Sequence, residues 1–97
     1  LPANALNLTA RIAAIAALRY TPAGVPALDL TLEHSSQRTE LGSQRTVNLV
    51  MRAVAFGGLA ERLQMQPVGS NWTFSGYLAN ARQGKSVVFN IQEFLQV

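Results

Sequence analysis

Leu28-Asp29-Leu30-Thr31-Leu32-Glu33 decides the fold: three leucines alternate with three polar residues, the period of a strand with one face buried and the other wet. The same period recurs downstream. Over Arg45 to Phe56, Val47, Leu49, Met51, Ala53 and Ala55 share one face, while Thr46, Asn48, Val50 and Arg52 share the other. Over Trp72 to Ala79, Trp72, Phe74 and Leu78 alternate with Thr73, Ser75 and Tyr77; over Ser86 to Gln92, Val87, Phe89 and Ile91 alternate with Val88 and Asn90. Upstream, Leu6, Leu8, Ala10 and Ile12 alternate with Asn7, Thr9 and Arg11. Ala13 to Leu18 then has high helix propensity, so a helix over Thr9–Leu18 competes with a long strand bulged or bent near Ala13-Ala14. The alternation from Asn4 to Ile12 favours the strand.

Turn residues separate these runs. Thr21-Pro22-Ala23-Gly24-Val25-Pro26 is a strong turn, Ser35 to Gln44 is a polar stretch with Gly42 that holds a long loop over Arg38 to Gln44, and Gly57-Gly58 and Pro67-Val68-Gly69-Ser70 are breaks. Arg82-Gln83-Gly84-Lys85 has the length of a hairpin turn, and Leu59 to Leu63 is the one clear helix. The order is strand, strand, strand, short helix, strand, strand. Five strands on so short a chain hide their edges by closing into a barrel, with the helix plugging one end. The sequence therefore predicts an all-β, five-stranded OB-fold barrel with one short helix between strands 3 and 4, and residues 1–97 as a single domain.

Composition narrows the chemistry. Apolar residues make up 48% and charged residues 13% of 97, which excludes a disordered, solvating chain. With no cysteine and one histidine, His34, there are no disulfides, no thiolate nucleophile and no His-rich metal site, and no cofactor is expected. No apolar run is long enough to span a membrane, and no secretion signal opens the chain. The chain begins at Leu1 rather than Met, so its natural start is expected upstream. The net charge is +3, and seven of the eight basic residues are arginine, the side chain that forks onto phosphate and stacks on bases. That bias favours a nucleic-acid partner; ordinary solvated arginine in an alanine-rich chain is the bland alternative.

Leu18-Arg19-Tyr20-Thr21-Pro22-Ala23-Gly24-Val25-Pro26 resembles the first loop of the bacterial single-stranded DNA-binding proteins. The Pro22-x-Gly24-x-Pro26 turn leading into Leu32-Glu33-His34 looks closer to their relatives in the PriB family, and Phe56-Gly57-Gly58-Leu59-Ala60-Glu61 again resembles the DNA-binding proteins. The likeness covers nearly the whole chain. No acidic tail appears before Val97, which favours the PriB relatives. The resemblance implies a homodimeric, non-enzymatic, cytoplasmic bacterial accessory of replication restart, binding single-stranded DNA, the restart helicase and other primosome proteins. One departure stands out: where the family's third strand can present an aromatic ring, this chain has Asn48, so charge should matter more than stacking there.

A single-strand binder needs a basic groove and flat side chains that accept bases. The candidates are Arg19 and Tyr20 at the first loop, Arg38 and Arg45 flanking the second, Asn48 on the third strand, and Arg82 and Lys85 at the last hairpin. Tyr77 is a further platform, or else a dimer-face ring; Trp72 and Phe74 read as core. Gly84-Lys85-Ser86 imitates a phosphate-binding loop, but Ala79 stands where that motif needs glycine, and a strand follows. Gly57-Gly58 reads as a strand-to-helix turn rather than an anion cradle. Glu33, His34 and Ser35 are adjacent strand residues pointing to opposite faces, a poor geometry for catalysis. The competing reading is an OB-fold protein-interaction module that meets acidic partners and binds nucleic acid weakly. For a homodimer, the first strand offers a pairing edge with uncharged Asn7 and Thr9 outward.

Overall fold

A computed structural model describes residues 2–97. The chain forms β1 (Leu6–Ile15), β2 (Arg19–Tyr20), β3 (Pro26–Glu40), β4 (Ser43–Phe56), α1 (Gly58–Gln64), β5 (Asn71–Asn80) and β6 (Val87–Leu95). The strands lie in the order β1-β5-β6-β4-β3-β2, and a further β1–β3 pairing closes the first five into a barrel. All pairings are antiparallel except β4–β6, where Ala53 meets Phe89 and Val54 meets Asn90 in parallel. The predicted five-stranded barrel with one short helix is thus present. The added strand, β2, is a two-residue rib on the start of β3.

Closure depends on β1 serving two neighbours. Leu6 to Arg11 pair with β5, and Arg11 to Ile15 pair with β3, with a register shift between Ile12 and Ala14. The extra residue bends the strand around the barrel. The Ala13 bulge decides between the two readings of this segment in favour of the strand, because barrel closure outweighs the helix propensity of the alanines. Inside, Leu8, Ile12, Leu28, Leu30, Leu32, Phe74, Phe89 and Ile91 form one buried cluster, and Ala60 and Leu63 of α1 close its end. Among the described residues no polar side chain is buried, so the core consists of apolar packing alone. Trp72 packs against this cluster, edge-on to Phe94 at 5.0 Å, with its indole N–H donated to Ser70 Oγ.

The polar stretch 35–44 does not hold the predicted long loop. β3 and β4 run on past the barrel as a two-stranded arm, pairing from His34–Leu49 out to Glu40–Ser43. The turn between them is Leu41-Gly42, both at positive φ (49° and 78°), the two-residue geometry whose twist matches a hairpin. Backbone pairing holds the arm together, helped by Gln37 Nε2 donating to Thr46 Oγ1 at 3.0 Å and by an Arg45–Glu40 ion pair at 3.2 Å. A ladder with both faces in water shows no hydrophobic alternation, so the sequence pattern could not reveal it. Val47, assigned to the buried face, lies on this arm and is exposed for the same reason.

Gly76 sits where two strands of the barrel approach too closely for a side chain. The β5–β6 register shifts between Ser75 and Gly76, and a Cβ at Gly76 would overlap the backbone carbonyl of Asn90. Gly76→Ala should therefore destabilise the fold by about 2–3 kcal/mol, from forced backbone displacement. Urea denaturation of the two proteins measures the difference, and an unchanged midpoint would contradict the close approach.

Candidate nucleic-acid interface

The pleat that sends leucines inward sends a second set of side chains out. Asp29 on β3, Arg52, Val54 and Phe56 on β4, Tyr77 on β5 and Asn90 on β6 meet on one outer face. With Arg19 from β2 and Arg82 from the β5–β6 turn they line a groove of about 530 Å³. Phe56 is 45% and Tyr77 39% exposed, so each offers ring surface to a ligand. Three guanidinium groups and two accessible rings along one groove meet the two requirements of a single-strand binder, cations for phosphates and π surfaces for bases. No group of three or more His, Asp or Glu side chains is placed to hold a metal ion among the described residues.

The predicted site residues fall in three places. Arg19 and Arg82 line the groove. Lys85 shares the turn with Arg82 but does not line the groove; this turn is closed by Ala81 N–H donating to Ser86 O at 2.7 Å and by Asn80 Nδ2 donating to Lys85 O at 2.9 Å. Tyr20 is 63% exposed and stays outside the groove, because neighbouring residues of a strand point to opposite sides. Arg38 and Arg45 do not flank a loop: they face each other as cross-strand partners near the tip of the arm. Seven strand positions separate Arg45 from Arg52, roughly 23 Å along β4. Asn48 stands opposite Ser35 at the root of the arm and lines a separate hollow of about 430 Å³ with Arg11, Glu33 and His34. There His34 Nδ1 donates to the Thr9 carbonyl at 2.6 Å and Nε2 lies 2.8 Å from Ser36 Oγ, so the ring is held by polar contacts in the middle of β3.

Arg52 and Phe56 were missing from the sequence-based site. The signal was available: Arg52 already sat on the outward face of its strand, and continuing the same period by two steps reaches Val54 and Phe56. What the sequence did not supply was the strand order that brings this face against Tyr77.

The electrostatics of the groove are those of a partly neutralised cationic channel. Arg19 clasps Asp29 with Nε at 2.7 Å and Nη2 at 3.2 Å. This hydrogen-bonded partner, helped by the nearby charge of Arg52, holds the Asp29 carboxyl below the ordinary carboxylate range, against the opposing effect of partial burial. Both side chains are about half exposed, so the pair contributes about 0.5 kcal/mol after solvent screening. Because the folded-state pKa is lowered, that contribution is present above about pH 4 and is lost as pH falls through the lowered value. Asp29→Asn should cost about 0.5 kcal/mol at pH 7, and the cost should shrink progressively as both proteins are acidified below about pH 4, as read from paired urea titrations. A gap that persists at the acid end would assign the cost to something other than the ion pair.

Known proteins resemble this chain in sequence and in fold. Residues 4–93 match the family described as "Another single-strand binding protein family". The replication restart protein PriB of Bordetella pertussis is 46% identical over 80 residues, covering 82% of this chain and 75% of that protein. PriB of Neisseria meningitidis serogroup B is 36% identical over 95 residues, covering 94% of each. Among solved structures, PriB of Ralstonia solanacearum superposes with a TM-score of 0.87 at 33% identity over 98% of both chains. The single-stranded DNA binding protein of Thermus aquaticus gives a TM-score of 0.79 at 24% identity over 98% of this chain and 50% of that one, a likeness of fold.

Proposed function

The chain belongs to the PriB family of replication restart proteins, related to the single-strand binding proteins, and on that premise we propose that it is a non-enzymatic single-stranded DNA-binding component of the bacterial primosome. The observation that carries the reading is the groove that joins Arg19, Arg52 and Arg82 to the rings of Phe56 and Tyr77. In this reading the arginines neutralise phosphates and the rings accept bases by stacking, which every base allows, so binding is indifferent to sequence. Arg38 and Arg45 offer further phosphate contacts on one face of the arm and Asn48 a contact on the opposite face, with Tyr20 and Lys85 at the groove's margins. The restart helicase and other primosome proteins are the partners that the family's role implies, and no catalytic step is assigned. No helix among the described residues is long and apolar enough to cross a membrane.

The chain is also proposed to act as a homodimer through β1. Only Arg11 to Ile15 of β1 pair with β3, because β3 departs into the arm beyond that point; among the described residues the same side of Leu6–Ala10 has no strand beside it, only the His34 ring on the Thr9 carbonyl. An antiparallel copy of the same segment would satisfy that edge by twofold symmetry. Sedimentation at micromolar concentration should give twice the 10.5 kDa chain mass, and a monomer there would remove the dimer from the reading.

Binding of a fluorescent oligothymidylate at two salt concentrations tests the groove. Replacing both Arg82 and Lys85 by alanine should flatten the salt dependence by roughly 0.7 per lost phosphate contact. Tyr77→Ala should weaken binding by about 1–3 kcal/mol and leave the salt slope unchanged, since it removes a π surface and no charge. If both variants bind as the parent does, the strand runs elsewhere.

A further inference from the structure

The groove carries one acidic side chain, and it occupies the fork of one of the three arginines. Asp29 lies on the outward face of β3, opposite Val54, and is the only carboxylate among the groove-lining residues. Its two oxygens meet two nitrogens of the Arg19 guanidinium, at 2.7 and 3.2 Å. This is the two-point contact that two phosphate oxygens would make with the same fork. Arg52 and Arg82 have no carboxylate within ion-pair distance among the described residues. A strand entering the groove therefore meets two open cations and one already engaged.

We propose that Asp29 is a built-in competitor for phosphate, which holds Arg19 out of use and sets the groove's grip on a single strand to a weak, exchangeable level. The inference rests on the reading of the groove as the single-strand site. Two features support it. The Arg19–Asp29 pair is half exposed on both sides, so a phosphate can reach and open it at small cost in stability. Opening it does not remove the carboxylate, which stays on β3 beside the incoming phosphate and repels it. Whether the strand displaces Asp29 or bypasses Arg19, one phosphate contact is lost from the account of released counterions.

The opposite role, a carboxylate that holds Arg19 in a useful pose for phosphate, uses the same distances and predicts the opposite sign. Removing a positioning carboxylate weakens binding; removing a competitor tightens it. The competitor's effect also has a salt signature. One additional phosphate contact on single-stranded DNA is worth a factor of about eight at 50 mM salt and about three at 200 mM, with the slope steeper by about 0.7.

The test compares the parent, Asp29→Asn, Arg52→Ala and the double variant Asp29→Asn/Arg19→Ala, each first shown to be folded by circular dichroism and a thermal midpoint. A fluorescein-labelled oligothymidylate is titrated at 50 and 200 mM salt. Asp29→Asn should bind about eightfold more tightly at the lower salt and about threefold at the higher, and the double variant should lose that gain. If Arg52→Ala weakens binding while Asp29→Asn is neutral or weaker, the groove is the site and the competitor role is overturned. A gain that survives Arg19→Ala comes from net charge alone and overturns the clasp as its source. If Arg52→Ala and Asp29→Asn both leave affinity unchanged, the groove is not the site and the reading beneath the inference fails with it.

Discussion

The barrel exists because one strand is shared between two neighbours. β1 gives its first half to β5 and its second half to β3, and the displaced residue at Ala13 is what allows a single strand to turn from one to the other. Without that bend the five strands would form an open sheet with two unpaired edges and a core exposed along one face. With it, the leucines of β1 and β3 and the phenylalanines of β5 and β6 enclose a common interior, and α1 needs only Ala60 and Leu63 to seal it. The same bend leaves half of β1 without a neighbour on one side, so the feature that closes the barrel also creates its open edge.

Core and groove are two sides of one alternation. On β3, Leu28, Leu30 and Leu32 point in and Asp29 points out; on β4, Ala53 and Ala55 point in and Arg52, together with Phe56 two steps past Val54, lines the groove outside. A slip of one residue in either register would bury charges and expose leucines together, so the apolar interior fixes where the arginines stand. This coupling explains how side chains on β3, β4, β5 and β6 can be brought to one groove without a buried polar network to orient them: the hydrophobic register does the positioning.

How far the sequence could be read follows from this. The barrel strands were legible because one of their faces is apolar, and the alternation at Leu28–Glu33 cannot be accommodated otherwise; on β6 Phe89 and Ile91 are buried as read, whereas Val87, at the entry of the strand, is exposed. The arm was illegible because residues 37–48 have water on both faces, and neither Gln37–Thr46 nor Arg45–Glu40 leaves a periodic mark. The site was half legible. Turn residues such as Arg82 announce themselves as exposed, whereas Arg52 and Tyr77 become neighbours only through the β6 strand that enters the sheet between β4 and β5. Nor could the alternation show that Arg19 reaches Asp29, ten positions away, rather than solvent.

The division of β1 between two partners has a consequence in time. Its second half can find β3 within about two dozen residues, but Asn7 meets Ser75 across 68 positions of chain, and Leu8 meets Phe74. At a synthesis rate of about 5–20 residues per second, the first half of β1 emerges roughly 3–14 s before its β5 partner has been made. The locally paired β3–β4 arm, closed by a two-residue turn, can form during that interval, whereas the barrel cannot. Loop-closure entropy makes the β1–β5 contact a late one, so folding of this chain is governed by how long an apolar first strand stays out of trouble while waiting.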